Sequence, residues 1–180
     1  MNDVRILREW IDLLEANEGL KLEKLPFAKD ALSPVMSKET IDIHYDTLTK
    51  NYYKNAKSGD TFQIAGAFLH GMFWENLRAP SDGNKPTGKC LEFINDKFGS
   101  FAGFKAECEE CATSIPGNGW CALTKSGKCV QIPNHKKRND IILLIDMWEH
   151  AYFIDYGADK EKYVKNFWKI VNWAVVEGRL

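Results

Sequence analysis

The chain has 180 residues, 44% of them apolar and 12% aromatic, with a formal net charge of −1. This composition excludes a disordered chain and suits one or two small domains that bury a sizeable core. The near-neutral charge offers no basis for nucleic-acid binding, and no apolar run approaches the roughly 20 residues of a membrane span.

Residues 1–24 carry Val4, Leu7, Trp10, Ile11 and Leu14 at helical spacing. They read as an amphipathic helix that packs on its own domain or docks a partner. The opening Met1-Asn-Asp-Val-Arg5 has no basic stretch leading into an apolar run, so no secretory signal is read and a cytoplasmic location is expected.

Ser37 is a good helix N-cap, and the pattern after it runs to about Lys54. Ile41, Tyr45, Leu48 and Tyr52 recur there at helical spacing, and His44 falls inside their stripe. A second helical pattern places Phe62, Gly66, Leu69, Phe73 and Leu77 on one face, with His70 beside them. Both imidazoles therefore point at whatever these helices bury. Taken singly, a histidine on an apolar face is more often a hydrogen-bonded core residue than a ligand. Arg78-Ala-Pro-Ser-Asp-Gly-Asn-Lys-Pro86 reads as a Pro/Gly-rich linker.

Strands are expected near residues 121–124, 128–132 and 141–145, the first two joined by the turn Lys125-Ser-Gly-Lys128. The five cysteines, Cys90, Cys108, Cys111, Cys121 and Cys129, are an odd number, which argues against a secreted disulfide framework. Cys108-Glu-Glu-Cys111 begins a zinc pattern that Cys121 and Cys129 would complete. Its segment looks helical and no second C-x-x-C closes it, so free thiols in a reducing compartment are expected instead.

The most informative stretch is Asp146-Met-Trp-Glu-His150. The apolar run Ile141-Ile-Leu-Leu-Ile145 before it reads as a buried strand that holds Asp146 at its end. Tyr152, Phe153 and Tyr156 after it continue into a helix. A buried carboxylate needs a partner: a cation supplies one, and a hydrogen-bonded core histidine supplies another. His44, His70 and His150 together with Asp146 make three imidazoles and one carboxylate. That set suits a redox-capable iron or manganese ion with a position left open for water or substrate.

With these residues in view, the chain resembles the iron/manganese superoxide dismutases from about Leu25 to about Val176. The resemblance rests on Leu25-Pro-Phe-Ala-Lys-Asp-Ala-Leu-Ser-Pro34, Ser37-Lys-Glu-Thr-Ile-Asp-Ile-His-Tyr45 and His70-Gly-Met-Phe-Trp-Glu-Asn-Leu77. Lys85-Pro-Thr-Gly88, Phe98-Gly-Ser-Phe101 and Gly117-Asn-Gly-Trp120 follow in the family's order. Asp146-Met-Trp-Glu-His-Ala-Tyr152 and the Phe167-Trp and Val171-Asn-Trp173 blocks complete it. The implied fold is α+β: an antiparallel helical hairpin over 25–78, a linker over 79–88, and an α/β domain over 89–180 with a small three-stranded antiparallel sheet. The connection around Asn55-Ala-Lys-Ser-Gly-Asp60 is shorter than in typical relatives.

The resemblance implies that His44, His70, Asp146 and His150 hold one iron or manganese ion per subunit, with solvent as a fifth ligand. The implied reaction disproportionates superoxide to dioxygen and hydrogen peroxide. Tyr52 matches the family's gateway tyrosine. The Gln that many iron enzymes carry on the second helix is Gly66 here, whereas manganese enzymes supply a Gln after a Pro-Asn pair. Pro133-Asn134 is followed by His135, which is therefore expected to hydrogen-bond the bound solvent; a solvated loop histidine beside Lys136-Lys-Arg138 is the alternative.

Leu48 and Phe153 replace a polar gateway pair together, which leaves neither partner unsatisfied. Lys160 stands for a nearby Arg, keeping the charge but not the fork. Trp74, Trp120 and Trp148 are expected to wall the site. Gly66 leans towards manganese and Ile154-Asp155-Tyr156 towards iron, with iron slightly favoured. Glu149, which in relatives reaches the ligand histidine of the other subunit, implies a homodimer. An altered or inactive member serving as a metal-binding or interaction module is the competing reading.

Overall fold

The computed structural model describes residues 20–180. The apolar stripe expected in the first 24 residues lies outside the described residues, and residues 20–25 run as irregular chain.

Two helices form the hairpin. The first, α1, is continuous through Lys38–Ile41, Asp42–Thr49 and Lys50–Ala56. Ser37 caps it, its hydroxyl accepting from the Thr40 N–H at 3.1 Å, as the sequence pattern requires. The middle stretch, Asp42–Thr49, is π-helical, and the Lys50 N–H reaches back to the Tyr45 carbonyl. Nothing in the residue spacing announced this wide turn, a form that tends to occur at functional positions. Thr49 spans it: its hydroxyl donates to the His44 carbonyl at 2.8 Å and accepts from the Trp74 indole at 3.0 Å.

A tight turn over residues 57–60 follows, with Gly59 at φ +82°, a conformation that suits glycine. Asp60 then caps α2, Thr61–Glu75, its Oδ1 accepting from the N–H groups of Phe62 and Gln63. Leu77 was expected on the α2 face, but the helix ends before it. Leu77 instead makes an antiparallel bridge to Val171, which ties the hairpin to the second part of the chain. The linker is anchored too: the Asn84 amide donates to the carbonyls of Trp168 and Val171 at 2.9 and 2.8 Å.

The second part begins with α3, Gly88–Phe98, and α4, Phe101–Thr113. Gly99, at φ +75°, ends α3 in a left-handed cap. Three antiparallel strands follow: β1, Gly119–Thr124; β2, Cys129–Pro133; and β3, Ile141–Asp146. Their order is β2-β1-β3, with Trp120 paired to Asp146 and Leu123 to Cys129. Every residue of β1 and β3 is buried, because helices cover both faces; hence β3 reads as a continuous apolar run instead of an alternating one.

The chain closes through a 3-10 turn at Glu149–Ala151, short α5 at Phe153–Tyr156, α6 at Lys160–Phe167 and α7 at Trp173–Glu177. One core unites the two parts, running from Leu32, Ile41 and Phe73 in the hairpin to Ile145, Tyr163 and Phe167 beyond it. The expectation of five free thiols is corrected: Cys108 of α4 and Cys129 of β2 are joined in a disulfide, their Cα atoms 5.4 Å apart. Cys90, Cys111 and Cys121 remain thiols. Pairing of this kind is decided by how α4 lies on the sheet, which residue spacing does not reveal.

Candidate metal centre

The four expected donors arrive from four pieces of chain. His44 comes from the π-helical part of α1, His70 from α2, Asp146 from the last residue of β3 and His150 from the turn after it. One ligating atom from each lies within 4.8 Å of all the others. His44, His70 and Asp146 are fully buried. Asp146 Oδ2 is 3.1 Å from His44 Nε2, 3.5 Å from His150 Nε2 and 3.9 Å from His70 Nε2.

Backbone contacts aim two of these groups. His70 Nδ1 donates to the Gly66 carbonyl at 2.7 Å, one helical turn back, which leaves Nε2 as the lone-pair nitrogen. Asp146 Oδ1 accepts from the Trp148 N–H at 2.9 Å, which leaves Oδ2 for the centre of the site. Four buried atoms, His44 Nε2, His70 Nε2, His150 Nε2 and Asp146 Oδ2, then have no hydrogen-bond partner. Leaving buried polar groups unpaired costs about 1–3 kcal/mol each, and more for a carboxylate. A cation among them answers all four at once, and the mixed imidazole and carboxylate set suits iron or manganese.

Electrostatics favour the same protonation state. Burial lowers the His44 pKa to about 4, helped by His150, although Asp146 opposes it. Burial also holds His70 well below its ordinary value, with His44 adding to the effect. Burial alone would raise Asp146, but the close approach of His150 and His44 outweighs it and keeps the carboxyl far below the usual range. Neutral imidazoles beside an ionised carboxylate are ready to accept a cation without first losing protons.

Aromatic rings enclose the donors. Trp74 sits 4.6 Å from the His44 ring, Trp120 5.0 Å from His70 and Trp148 5.7 Å from His150. Tyr52 stacks on His70 at 4.8 Å and meets His135 edge-on at 4.8 Å. Gly66 makes this stacking possible: a Cβ there would lie 2.6 Å from Tyr52 Cδ1.

His135 is not a solvated loop residue. It is 5% exposed, its ring stacked 4.6 Å from Trp148 and edge-on to His70 at 5.7 Å. Asn134 turns it inward; at φ 53° this residue occupies the left-handed region that Asn tolerates better than most. The Trp120 indole donates to His135 Nδ1 at 3.2 Å, so the neutral ring carries its proton on Nε2, which is buried and unpartnered. Burial lowers the His135 pKa to about 4, so the ring is neutral at pH 7. The sequence suggested Trp120 only as a wall; its role in choosing this tautomer emerges from the fold.

Other expected positions lie further out. Leu48 is half-buried, while Glu149 and Phe153 are exposed, Phe153 by 55%. The Lys160 amine donates to the Ile115 carbonyl at 3.2 Å. No helix among the described residues is long and apolar enough to cross a membrane.

Comparison with known proteins gives a consistent result. Residues 20–60 match the α-hairpin domain of iron/manganese superoxide dismutases, and residues 86–179 match the C-terminal domain of the same family. The chain is 37% identical to the iron superoxide dismutase of Saccharolobus solfataricus, over 89% of this chain and 92% of that one. It is 35% identical to that of Methanothermobacter thermautotrophicus, over 88% of this chain and 93% of the other. Identity to the Escherichia coli iron superoxide dismutase is also 35%, over 90% and 98% of the two chains.

Proposed function

The chain belongs to the iron/manganese superoxide dismutase family, and we propose that it uses one iron ion per subunit, with manganese accepted in its place, to disproportionate superoxide. Two superoxide ions and two protons yield dioxygen and hydrogen peroxide. The observation that carries this reading is the convergence of His44, His70, Asp146 and His150 on one buried point with four unpartnered donor atoms. An interaction module that had lost its chemistry would have no reason to keep so costly an arrangement.

When bound, the metal supplies one-electron exchange, taking an electron from one superoxide and giving one to the next. The protein's part is to hold the donors, exclude bulk water and deliver protons. The three Trp rings lower the local dielectric and strengthen every charge interaction within them. His135, neutral and with its proton on Nε2, is the hydrogen-bond donor to solvent or superoxide at the open side of the donor set. Burial, and then the Asp146 charge, raise the Tyr52 pKa, so the phenol keeps its proton and can donate it to the peroxide product. With Leu48 and Phe153 at the gateway positions, Tyr52 acts without the family's second polar relay.

The proposed homodimer places Glu149 at the interface. The exposed side chains of Phe153 and Ile154, close to His150 in sequence, support this as a face that a second copy covers. The expected cytoplasmic site of action is part of the same reading. Superoxide dismutation should be measured on protein reconstituted separately with iron and with manganese. Activity with iron exceeding that with manganese is expected, and inactivity with both ions despite stoichiometric binding would overturn the assignment.

A further inference from the structure

Four of the five cysteines gather between α4 and the β1–β2 hairpin, with Cys121 on the opposite face of β1 from Trp120. Cys108 and Cys111 are three residues apart and share a face of α4. On the sheet, Leu123 pairs with Cys129 and Cys121 with Gln131, so Cys121, Cys129 and Gln131 share the face beneath α4. The Cys108–Cys129 disulfide closes one side of this layer. On the other, the Gln131 amide donates to the Cys111 carbonyl and to Ser114 Oγ, both at 2.9 Å, which clamps the end of α4 to β2. Cys121 Sγ donates to the Cys108 carbonyl oxygen at 3.6 Å, which seats it under the turn of α4 that carries Cys111.

We propose that Cys111 and Cys121 form a second redox site, a peroxide-consuming thiol pair that closes to a disulfide beside Cys108–Cys129. Cys111 is half-buried at the surface, while Cys121 is 1% exposed, so the first can meet a small oxidant and the second cannot. The division of roles has electrostatic support. The neighbouring Cys121 thiol holds Cys111 below its ordinary value, against burial and Glu107, and the same proximity, with burial, pushes Cys121 well above. The attacking sulfur is therefore Cys111.

The chemistry balances. The Cys111 thiolate attacks one peroxide oxygen, the O–O bond breaks, and a sulfenic acid forms as hydroxide leaves. Cys121 then attacks the Cys111 sulfur, the S–O bond breaks, and water departs with the proton of the Cys121 thiol. In total two thiols lose two electrons and two protons, and one hydrogen peroxide becomes two waters. Dismutation supplies that peroxide, but the pair itself needs only peroxide, whatever its source.

Added peroxide therefore tests the pair independently of the dismutase reading. The metal-loaded full chain is treated with one equivalent of hydrogen peroxide, unfolded under acid quench, and its thiols are counted. The count should fall from three to one, with Cys90 remaining. Cleavage after Glu110 frees Cys111 from Cys108, cleavage after Lys125 frees Cys121 from Cys129, and chymotryptic cleavage after Trp120 parts Cys111 from Cys121, so peptide mass spectrometry of the combined digest should find the Cys111 and Cys121 pieces joined only after peroxide. Cys121→Ser should accumulate a dimedone-reactive sulfenic acid at Cys111, and Cys111→Ser should leave Cys121 unreacted. A count that stays at three, loss of Cys90 as fast as Cys111, or a dimedone adduct on Cys121 in Cys111→Ser would each overturn the proposal. So would zinc held by these cysteines that shields them from peroxide, since the layer would then be a metal site.

Discussion

Replacing Gly66 with alanine sets two opposed effects against each other at one position. Gly66 lies inside α2, where exchange of Gly for Ala favours the helix by about 1 kcal/mol. The added methyl, however, would lie 2.6 Å from Cδ1 of Tyr52 and 3.0 Å from two further ring atoms. That ring cannot swing away freely, because it stacks on His70 and abuts His135. Overpacking of this kind costs roughly 1–3 kcal/mol, so the net change should be a loss of about 1 kcal/mol. For a chain of this size that is a fall in Tm of about 2–4 °C. Gly71→Ala, in the same helix, is the internal control. Its methyl meets only the far end of Tyr53, the hydroxyl at 2.5 Å, which can rotate outward. Gly71→Ala should therefore raise Tm while Gly66→Ala lowers it. Because displaced Tyr52 presses on His70 and His135, Gly66→Ala should also lose activity several-fold with its metal content kept. Paired thermal melts and metal-normalised superoxide assays read both outcomes. A Gly66→Ala protein as stable as Gly71→Ala and fully active would show that Tyr52 is not locked where the argument needs it.

His70→Ala should reduce bound iron or manganese to background in atomic emission; full metal content would remove His70 from the donor set. Trp120→Phe deletes the donor to His135 Nδ1 and should cost about 1 kcal/mol while altering the visible spectrum of the bound metal. An unchanged spectrum would mean the His135 tautomer is immaterial. In the metal-free protein, His44 and His135 have folded pKa values lowered to about 4, so between pH 6.5 and pH 4 the unfolded chain binds more protons. Stability should therefore fall as pH falls through that window, by up to about 3 kcal/mol for each group. Urea unfolding at pH 7 and pH 4.5 checks the sign, and a flat profile contradicts it. Phe153→Asp puts a charge on the exposed apolar face and should shift sedimentation from dimer to monomer.

Much of the candidate metal centre was legible in the residues. A chain with four histidines, two in helical stripes and one four residues after an Asp at the end of an apolar run, has few ways to bury them cheaply. Periodicity is a local property, and it announced the two hairpin helices, the buried β3 strand and the hairpin turn at 125–128. The family resemblance then supplied the antiparallel arrangement.

What remained depended on through-space relations that spacing does not encode. The inward turn of His135 rests on the left-handed backbone of Asn134 and on an indole 15 residues earlier. The stacking of Tyr52 needs the missing Cβ of Gly66, and the placing of His44 follows from a π-helical stretch whose hydrogen bonds the side-chain pattern does not reveal. The cysteines show the difference most plainly. Residue order left them as odd thiols or a broken zinc pattern, and only the seating of α4 on β1 and β2 sorted them into one disulfide, two thiols in the same layer and a separate buried thiol, Cys90. Which side chains carry chemistry is written in the chain, whereas their partners are chosen when the layers close.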